Sequence, residues 1–475
     1  MCARVVVVGA GMGGLAAATR AAAAGHAVTV LEQAPTIGGK SGRVELEADG
    51  RTWRFDSGPS LLTMPWVVRD LWAAVGLAEP DLVRVEPVTR YAFADGTGFD
   101  LSADVPQAME ALEAWSPGAG ADWLRFLGLC AGMWRASERV LEGPPPFPPR
   151  RPGPGEPTPD PRDLLAVKPW HTLRTLARAT VRDPRLRMVV ERFATYAGAD
   201  PRRAPAALVV AGYVEHAFGA WHVPGGLYEL VLQLAGRLEE LGGEVRLGTR
   251  ALGIVRSGSR VTGVRTEAGV VPADAVVWDG DALTLRRALR GGRRPGRERS
   301  VSGLALMLAV DGRSDDLVHH HIRFPADYDA EFDDVFRRRR PVQDPTLYVS
   351  ASCATTPSEA PEGGENWFVL ANAPAGIDAD WEAEADRLVA RLGVADRVVA
   401  RHVRSPDAIA SETGAVGGAI YGDAPHGRLG TITRPGHRVA GVRGLWRVGG
   451  TAHPGGGLPL VMLGGALVAR ELGPA

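Results

Sequence analysis

Three stretches of the 475-residue sequence predict an α/β fold in which a split Rossmann-like domain is interrupted by an inserted α+β domain. The first is VVVVGAGMGGLAAATRAAAAGHAVTVLEQ at residues 5–33. The second is a return to a helix-then-strand pattern from Trp221 onward. The third is HPGGGLP at 453–459, a glycine loop leading into a helix of small residues.

In the first stretch, Val5 to Val8 read as a buried strand, and Gly9, Gly11 and Gly14 follow at GxGxxG spacing. Gly9 permits a tight turn, Gly11 lets the backbone approach a pyrophosphate, and Gly14 allows close packing of helix on strand. Gly13 lies in the same turn. The phosphates belong at the helix N-terminus, where free N–H groups and the helix dipole favour anions. A second strand, 28–31, ends at Glu32, which can accept ribose hydroxyls and argues against a 2′-phosphate; Gln33 follows it. The competing reading is an ordinary glycine-rich βα turn, but strand, turn, helix, strand and terminal acid all agree on a dinucleotide.

That dinucleotide is FAD rather than NAD. Gly38-Gly39-Lys40 comes soon after the acid, and Phe55-Asp56-Ser57-Gly58-Pro59-Ser60 soon after that. A flavin nucleotide needs exposed backbone along its ribityl and pyrophosphate, whereas NAD has no obvious need for a second glycine pair. No second GxGxxG follows, so the sequence predicts no separate NAD(P)H site. Electrons are expected to leave through oxygen, a quinone or another carrier.

Composition sets outer bounds. A net charge of −1 gives no support for nucleic acid as a partner, and a 45% hydrophobic fraction supplies a sizeable core. Cys2, Cys130 and Cys353 are isolated, with neither a CxxC pair nor metal spacing, which fits a reducing cytoplasm. The apolar N-terminus is broken by glycines and lacks a basic region beyond Arg4, so it does not read as a signal peptide. No run of about 20 apolar residues exists to span a membrane. A cytoplasmic protein, soluble or peripheral to the membrane, is expected.

Between the nucleotide motifs, residues 33–80 read as a loop that covers the cofactor. Residues 105–141 are helical, with Met109, Leu112, Trp123, Leu127 and Trp134 on the apolar side. The proline-dense stretch 143–161 reads as an extended loop. Residues 163–193 return to helix. There Arg174, Arg178 and Arg182 form a row, with Lys168, Arg185 and Arg187 nearby and Trp170, Leu173, Leu176 and Val181 available to insert or pack. The row is either a membrane-facing basic face or a solvated one over a core-packed stripe. After the helix at 227–241 come strands at 244–247, 253–256, 261–266 and 275–277. Strands at 304–310, 346–350 and 367–370 suit a second sheet. Arg337 to Arg340 read as an exposed turn. His319, His320 and His321 look like metal ligands on paper, but consecutive strand residues face opposite ways, so no metal is expected. In the last stretch, the helix N-terminus after Pro459 can face a flavin and stabilise negative charge on its ring. The bland reading is a glycine loop that closes a domain.

With these residues in view, the chain resembles the bacterial carotenoid desaturases of the phytoene desaturase family, in the flavin amine-oxidase superfamily. The resemblance covers nearly the whole length. It rests on the N-terminal unit with Gly38-Gly39-Lys40, FDSGPSLLTMP at 55–65, ALEAWSPGAGADWLRFL at 111–127, and WHVPGGLYELVLQLAGRLEELGGEV at 221–245. It continues in DPTLYVSASCATTPSEAPEGGENWFVLANAP at 344–374 and VGGTAHPGGGLPLVMLGGA at 448–466. Lys40 stands where these families usually carry Arg, keeping the charge but losing the bidentate fork. FDSGPSLLTMP, ENWFVLANAP and HPGGGLPL look most like the hydroxycarotenoid 3,4-desaturase branch.

The resemblance implies a split Rossmann-like FAD-binding domain (residues 1–80, 221–295 and 436–475) and an inserted α+β substrate domain (81–220 and 296–435). It implies a long apolar channel that admits a carotenoid from a membrane surface. Gly9, Gly11, Gly14, Glu32, Gly39 and Lys40 would hold the nucleotide. Ser57, Gly58 and Pro59, with Gly450, Leu458 and Pro459, would lie near the isoalloxazine. The 143–161 insertion departs from the family pattern. The implied reaction removes a hydride and a proton from a C–C bond next to a polyene. The cofactor carries that chemistry, which explains why no catalytic triad, carboxylate pair or metal set stands out. Glu215, His216 and His453 are candidate bases, each alternatively a packed or solvent-facing residue. The alternatives are a phytoene or neurosporene desaturase, another flavin oxidase or isomerase acting on amines or isoprenoids, and a prenyl-lipid carrier like the Rab dissociation inhibitors.

Overall fold

The computed structural model describes residues 2–145, 160–290 and 297–475. Its first sheet has five parallel strands in the order Leu445–Arg447, Ala275–Trp278, Arg4–Val8, Ala27–Leu31, Glu244–Arg246. Three distant stretches of chain therefore share one sheet. Its central strands, residues 5–8 and Ala275–Trp278, are apolar throughout because both faces are covered, whereas the edge strand Glu244–Arg246 is largely exposed. Val5 and Val7 face a core that includes Leu15, Leu230 and Met462, from helices Met12–Ala23, Tyr228–Glu240 and Leu458–Leu472. Val6 and Val8 face the other way, onto Val261 and Val264 of the meander Gly253–Ser257, Arg260–Thr266, Gly269–Pro272. Side-chain alternation along one strand thus serves two layers.

The second sheet has seven strands, in the order Val398–Arg404, Ser302–Asp311, Gly364–Ala373, Leu347–Ser350, His320–Arg323, Thr89–Ala92, Gly98–Leu101. Pairing is antiparallel except between His320–Arg323 and Thr89–Ala92. Helix Trp381–Leu392 packs its Leu388 and Leu392 into the core under this sheet. No helix among the described residues is long and apolar enough to cross a membrane.

Several expected elements differ. Residues 33–80 are not one loop: Arg43–Ala48 and Arg51–Asp56 form a hairpin, and Pro65–Val75 is a helix. The hairpin signal is Asp49-Gly50, whose φ values of 51° and 70° suit a two-residue turn between alternating strands. Its Trp53 and Phe55 are buried in the core of the seven-stranded sheet. The 105–141 helix is two, Val105–Trp115 and Ala119–Glu142, parted at Ser116-Pro117-Gly118 with Gly118 left-handed. The 163–193 helix is three: Pro161–Ala166, Leu173–Thr180 and Pro184–Arg192. Proline opens the first and third, where its missing N–H costs nothing.

The basic row is mostly consumed by ion pairs. Arg174 binds Glu191 and Asp329, Arg182 binds Asp122, and Arg185 binds Asp183 and Asp95. Leu173, Leu176 and Val181 are core residues, while Trp170 is 54% exposed. These contacts match the second reading of the row, a basic face over a core-packed stripe, because breaking the helix turns several of the arginines toward separate carboxylates. Most of the proline-dense stretch, 146–159, lies outside the described residues.

Candidate functional site

At the C-terminal edge of the parallel sheet, Gly9, Glu32 and Asp279 directly follow three of the strands and Gly449 lies two residues past Leu445–Arg447, and all four line one cavity of about 870 Å³. Ligands of parallel α/β sheets bind at this edge, and the volume is at the upper end of the usual range of about 300–1,000 Å³.

The glycine turn is a cradle that side chains would fill. A Cβ on Gly14 would fall 2.3 Å from the carbonyl oxygen of Gly9, so only glycine lets helix Met12–Ala23 approach the strand. A Cβ on Gly13 would meet the Gly449 nitrogen at 2.9 Å, so the N-terminal turn and the C-terminal loop touch. Cβ atoms on Gly11 and Gly14 would stand 2.5 and 2.9 Å from Asp279 Oδ2. The Asp279 carboxyl stands at the helix N-terminus, where the N–H groups of Gly14 and Gly11 favour its charged form. Burial, and then the nearby Glu32, push its pKa up to about 7. These features fit the pyrophosphate of FAD.

Glu32 is buried and accepts from the backbone N–H groups of Ala10 and Ala34, both at 2.8 Å. It lines the cavity, as does Gln33, whose amide donates to the Glu412 carbonyl at 3.4 Å. Gly39 stacks on the turn, and a Cβ there would be 3.5 Å from Gly11 Cα. Lys40 does not extend as a free phosphate ligand: its Nζ donates to the carbonyls of Ile420 (2.5 Å) and Ala419 (3.2 Å), and burial lowers its pKa to about 8.

Ser57, Gly58 and Pro59 line the same cavity, and Gly58 lies so close to Lys40 that a Cβ would fall 1.9 Å from its carbonyl oxygen. Buried Arg404 straps this loop to the glycine pair, donating to Ser57 O at 2.7 Å and to Gly39 O and Lys40 O at 3.3 Å. On the opposite side Gly450, Leu458 and Pro459 line the cavity, with Gly457 opening helix Leu458–Leu472. Arg434, a half-buried wall residue, donates to the Gly450 carbonyl at 2.7 Å.

Beyond the glycine loops the cavity is walled by Trp134, Val140, Phe193, Val210, Val214 and Ile322. Of the candidate bases, Glu215 lines this arm and is 1% exposed. His216 is packed edge-on against Trp123 and Phe193, its ring nitrogens make no hydrogen bond although Nε2 lies 3.7 Å from Glu215 Oε1, and burial lowers its pKa to about 4. His453 lines the cavity, but its Nε2 lies 3.2 Å from the Gly143 carbonyl and burial lowers its pKa to about 3. The expected alternation of the three histidines does not hold for His319, which precedes strand His320–Arg323: its ring lies 4.4 Å from that of His320, His319 Nδ1 meets Thr355, and His320 faces the carbonyls of Val88 and Ser60.

Sequence reading missed Asp279, Arg404, Arg434 and Arg192. Asp279 had a signal, being the first residue after a parallel strand of the sheet. The arginines had none, because their partners lie far away in the chain.

Residues 12–278 match the model of the flavin-containing amine oxidoreductases. The chain belongs to this family. Over 98% of its length it is 33% identical to a hydroxyneurosporene desaturase of Rhodobacter capsulatus, 97% of which is covered. It is 33% identical to a zeta-carotene-forming phytoene desaturase of Myxococcus xanthus (99% of this chain, 93% of the relative). It is 28% identical to a 1-hydroxycarotenoid 3,4-desaturase of a Flavobacterium species (98% of each). A putrescine oxidase bound to putrescine superposes with a TM-score of 0.64 at 16% identity over 99% of both chains, a likeness of fold. This flavoprotein is thus an FAD-dependent oxidoreductase of the carotenoid desaturase branch, and the reading as a prenyl-lipid carrier falls away.

Proposed function

We propose that the protein desaturates the C3–C4 bond of an acyclic hydroxycarotenoid. The observation that carries this reading is one continuous cavity, running from the glycine cradle to an apolar arm whose wall includes a buried charged pair, Arg192 and Glu215. The relatives named as acting on hydroxylated carotenoids and the FDSGPSLLTMP, ENWFVLANAP and HPGGGLPL motifs support it.

When bound, FAD supplies the hydride acceptor. Gly9, Gly11, Gly13 and Gly14 would hold its pyrophosphate and Glu32 its ribose; Gly39, Ser57, Gly58 and Pro59 on one side and Gly450, Leu458 and Pro459 on the other would frame the ring. Apolar walls exclude water and align the polyene, and the helix N-terminus at Leu458 favours negative charge nearby. The proton leaves a carbon whose positive charge the polyene spreads, so a weak base suffices. Electrons pass on to oxygen or a quinone. Leu165 and Trp170, 59% and 54% exposed on either side of the cavity residue Val167, offer a peripheral contact with the membrane that carries the substrate.

The test is expression in one host that makes acyclic hydroxycarotenoids and in another that makes phytoene, recording pigment spectra. A red shift in the first host alone is expected. Coloured product from phytoene alone would replace the proposal with phytoene desaturation.

A further inference from the structure

Within the apolar arm of the cavity one polar cluster is buried without an evident structural need for it. Arg192, 7% exposed, follows the helix cap at Asp183 by two and a half turns and lies against the aromatic rings of Tyr91, Phe193 and Tyr196. Its guanidinium donates to Tyr196 OH at 3.1 Å, to Tyr91 OH at 3.0 Å and, at a long 3.4 Å, to Glu215 Oε1. Tyr196 OH donates to the other oxygen of Glu215. The Nε–H of Arg192 has no partner although it is buried. An ion pair in an apolar pocket is costly unless its remaining donors and acceptors are used, so a spare donor beside a weakly engaged carboxylate oxygen asks for a third group.

We infer that Arg192 and Glu215, braced by Tyr196, form the receptor for the substrate's hydroxyl group. A hydroxyl both accepts and donates: it accepts from Arg192 and donates to Glu215 Oε1, which completes the cluster. A hydrocarbon end offers neither bond and leaves both groups desolvated. This inference rests on the hydroxycarotenoid reading and adds the means by which the hydroxyl is recognised.

Position supports it. Tyr91, which accepts from Arg192, is in register with Ile322 and Ile322 with Tyr348 on the next strand, and Ile322 and Tyr348 line the cavity with Arg192 and Glu215. Tyr348 OH lies 2.8 Å from Ser60 Oγ and His320 Nε2 lies 3.3 Å from Ser60 O. The cluster therefore stands beside the 57–60 loop. In a 1-hydroxylated chain desaturated at C3–C4, only C2 separates the hydroxyl-bearing carbon from the reacting bond. A receptor for that hydroxyl belongs near the flavin loop, and the cluster is there.

The experiment uses holoenzyme with a 1-hydroxylated acyclic carotenoid and the unhydroxylated polyene of the same length. Both turnover and binding, read from the shift of the polyene absorption band, are measured for wild type, Glu215→Gln, and the charge-neutral double variant Arg192→Met with Glu215→Gln. Wild type is expected to prefer the hydroxylated substrate by about a hundredfold or more, since a site built to bond a hydroxyl rejects analogues that lack it. Both variants are expected to lose most of that preference through KM, with kcat changed less than tenfold and bound FAD retained. Variants that keep the wild-type preference overturn the receptor while leaving the hydroxycarotenoid reading intact. A wild type with no preference overturns both.

Discussion

Asp279 shows most directly how one residue can govern the cofactor site. It occupies the anion position of the glycine turn, and its pKa is raised from 3.8 to about 7, first by burial and then by Glu32, against the opposing pull of the Gly14 and Gly11 N–H groups and Lys40. The sign follows from the direction. A carboxyl whose folded pKa is raised favours the folded state most below its ordinary value, and that contribution is lost as pH rises toward about 7. Above that point a negative charge competes with the pyrophosphate. FAD affinity of the apoprotein, followed by flavin fluorescence, should therefore weaken as pH rises through 7, and Asp279→Asn should flatten the profile. A profile unchanged by the substitution would show that the carboxylate moves aside without charge repulsion.

At the scale of elements, the N-terminal helix Met12–Ala23 and the C-terminal helix Leu458–Leu472 are packed through small residues. A Cβ on Gly465 would lie 2.8 Å from Ala16 Cβ and 2.9 Å from the Ala17 nitrogen. Gly465→Leu should force the helices apart at a cost of about 1–3 kcal/mol, seen as a lower urea midpoint together with weaker FAD retention. Unchanged stability would mean the two ends are not coupled this way. The alanine run and the GGA of the last helix are the local trace of this contact, so these helices were legible. The hairpin at 43–56 was legible too, from Asp49-Gly50 and the Val44/Leu46 alternation, but proximity to the nucleotide motif drew it into a loop. The long helices between were overextended because apolar periodicity continues across Ser116-Pro117-Gly118 and Pro184, where the backbone does not.

At the scale of the molecule, the opening fingerprint specifies one part of a site that five strands from three parts of the chain complete. The glycines, Glu32 and the two later loops could be read locally because each answers to a backbone requirement. Arg404 straps Ser57 to Gly39, and Arg192 meets Glu215, only after the whole chain has folded. The proposed hydroxyl receptor thus lies in contacts that no short window contains. The most direct measurement is an anaerobic single turnover of the purified holoenzyme with an acyclic 1-hydroxycarotenoid, recording flavin and polyene absorbance together. The expected result is an oxidised-flavin band that bleaches in step with a red-shifted polyene of two fewer hydrogens that keeps its hydroxyl. An oxidised band that persists with this substrate while phytoene bleaches it would contradict the account.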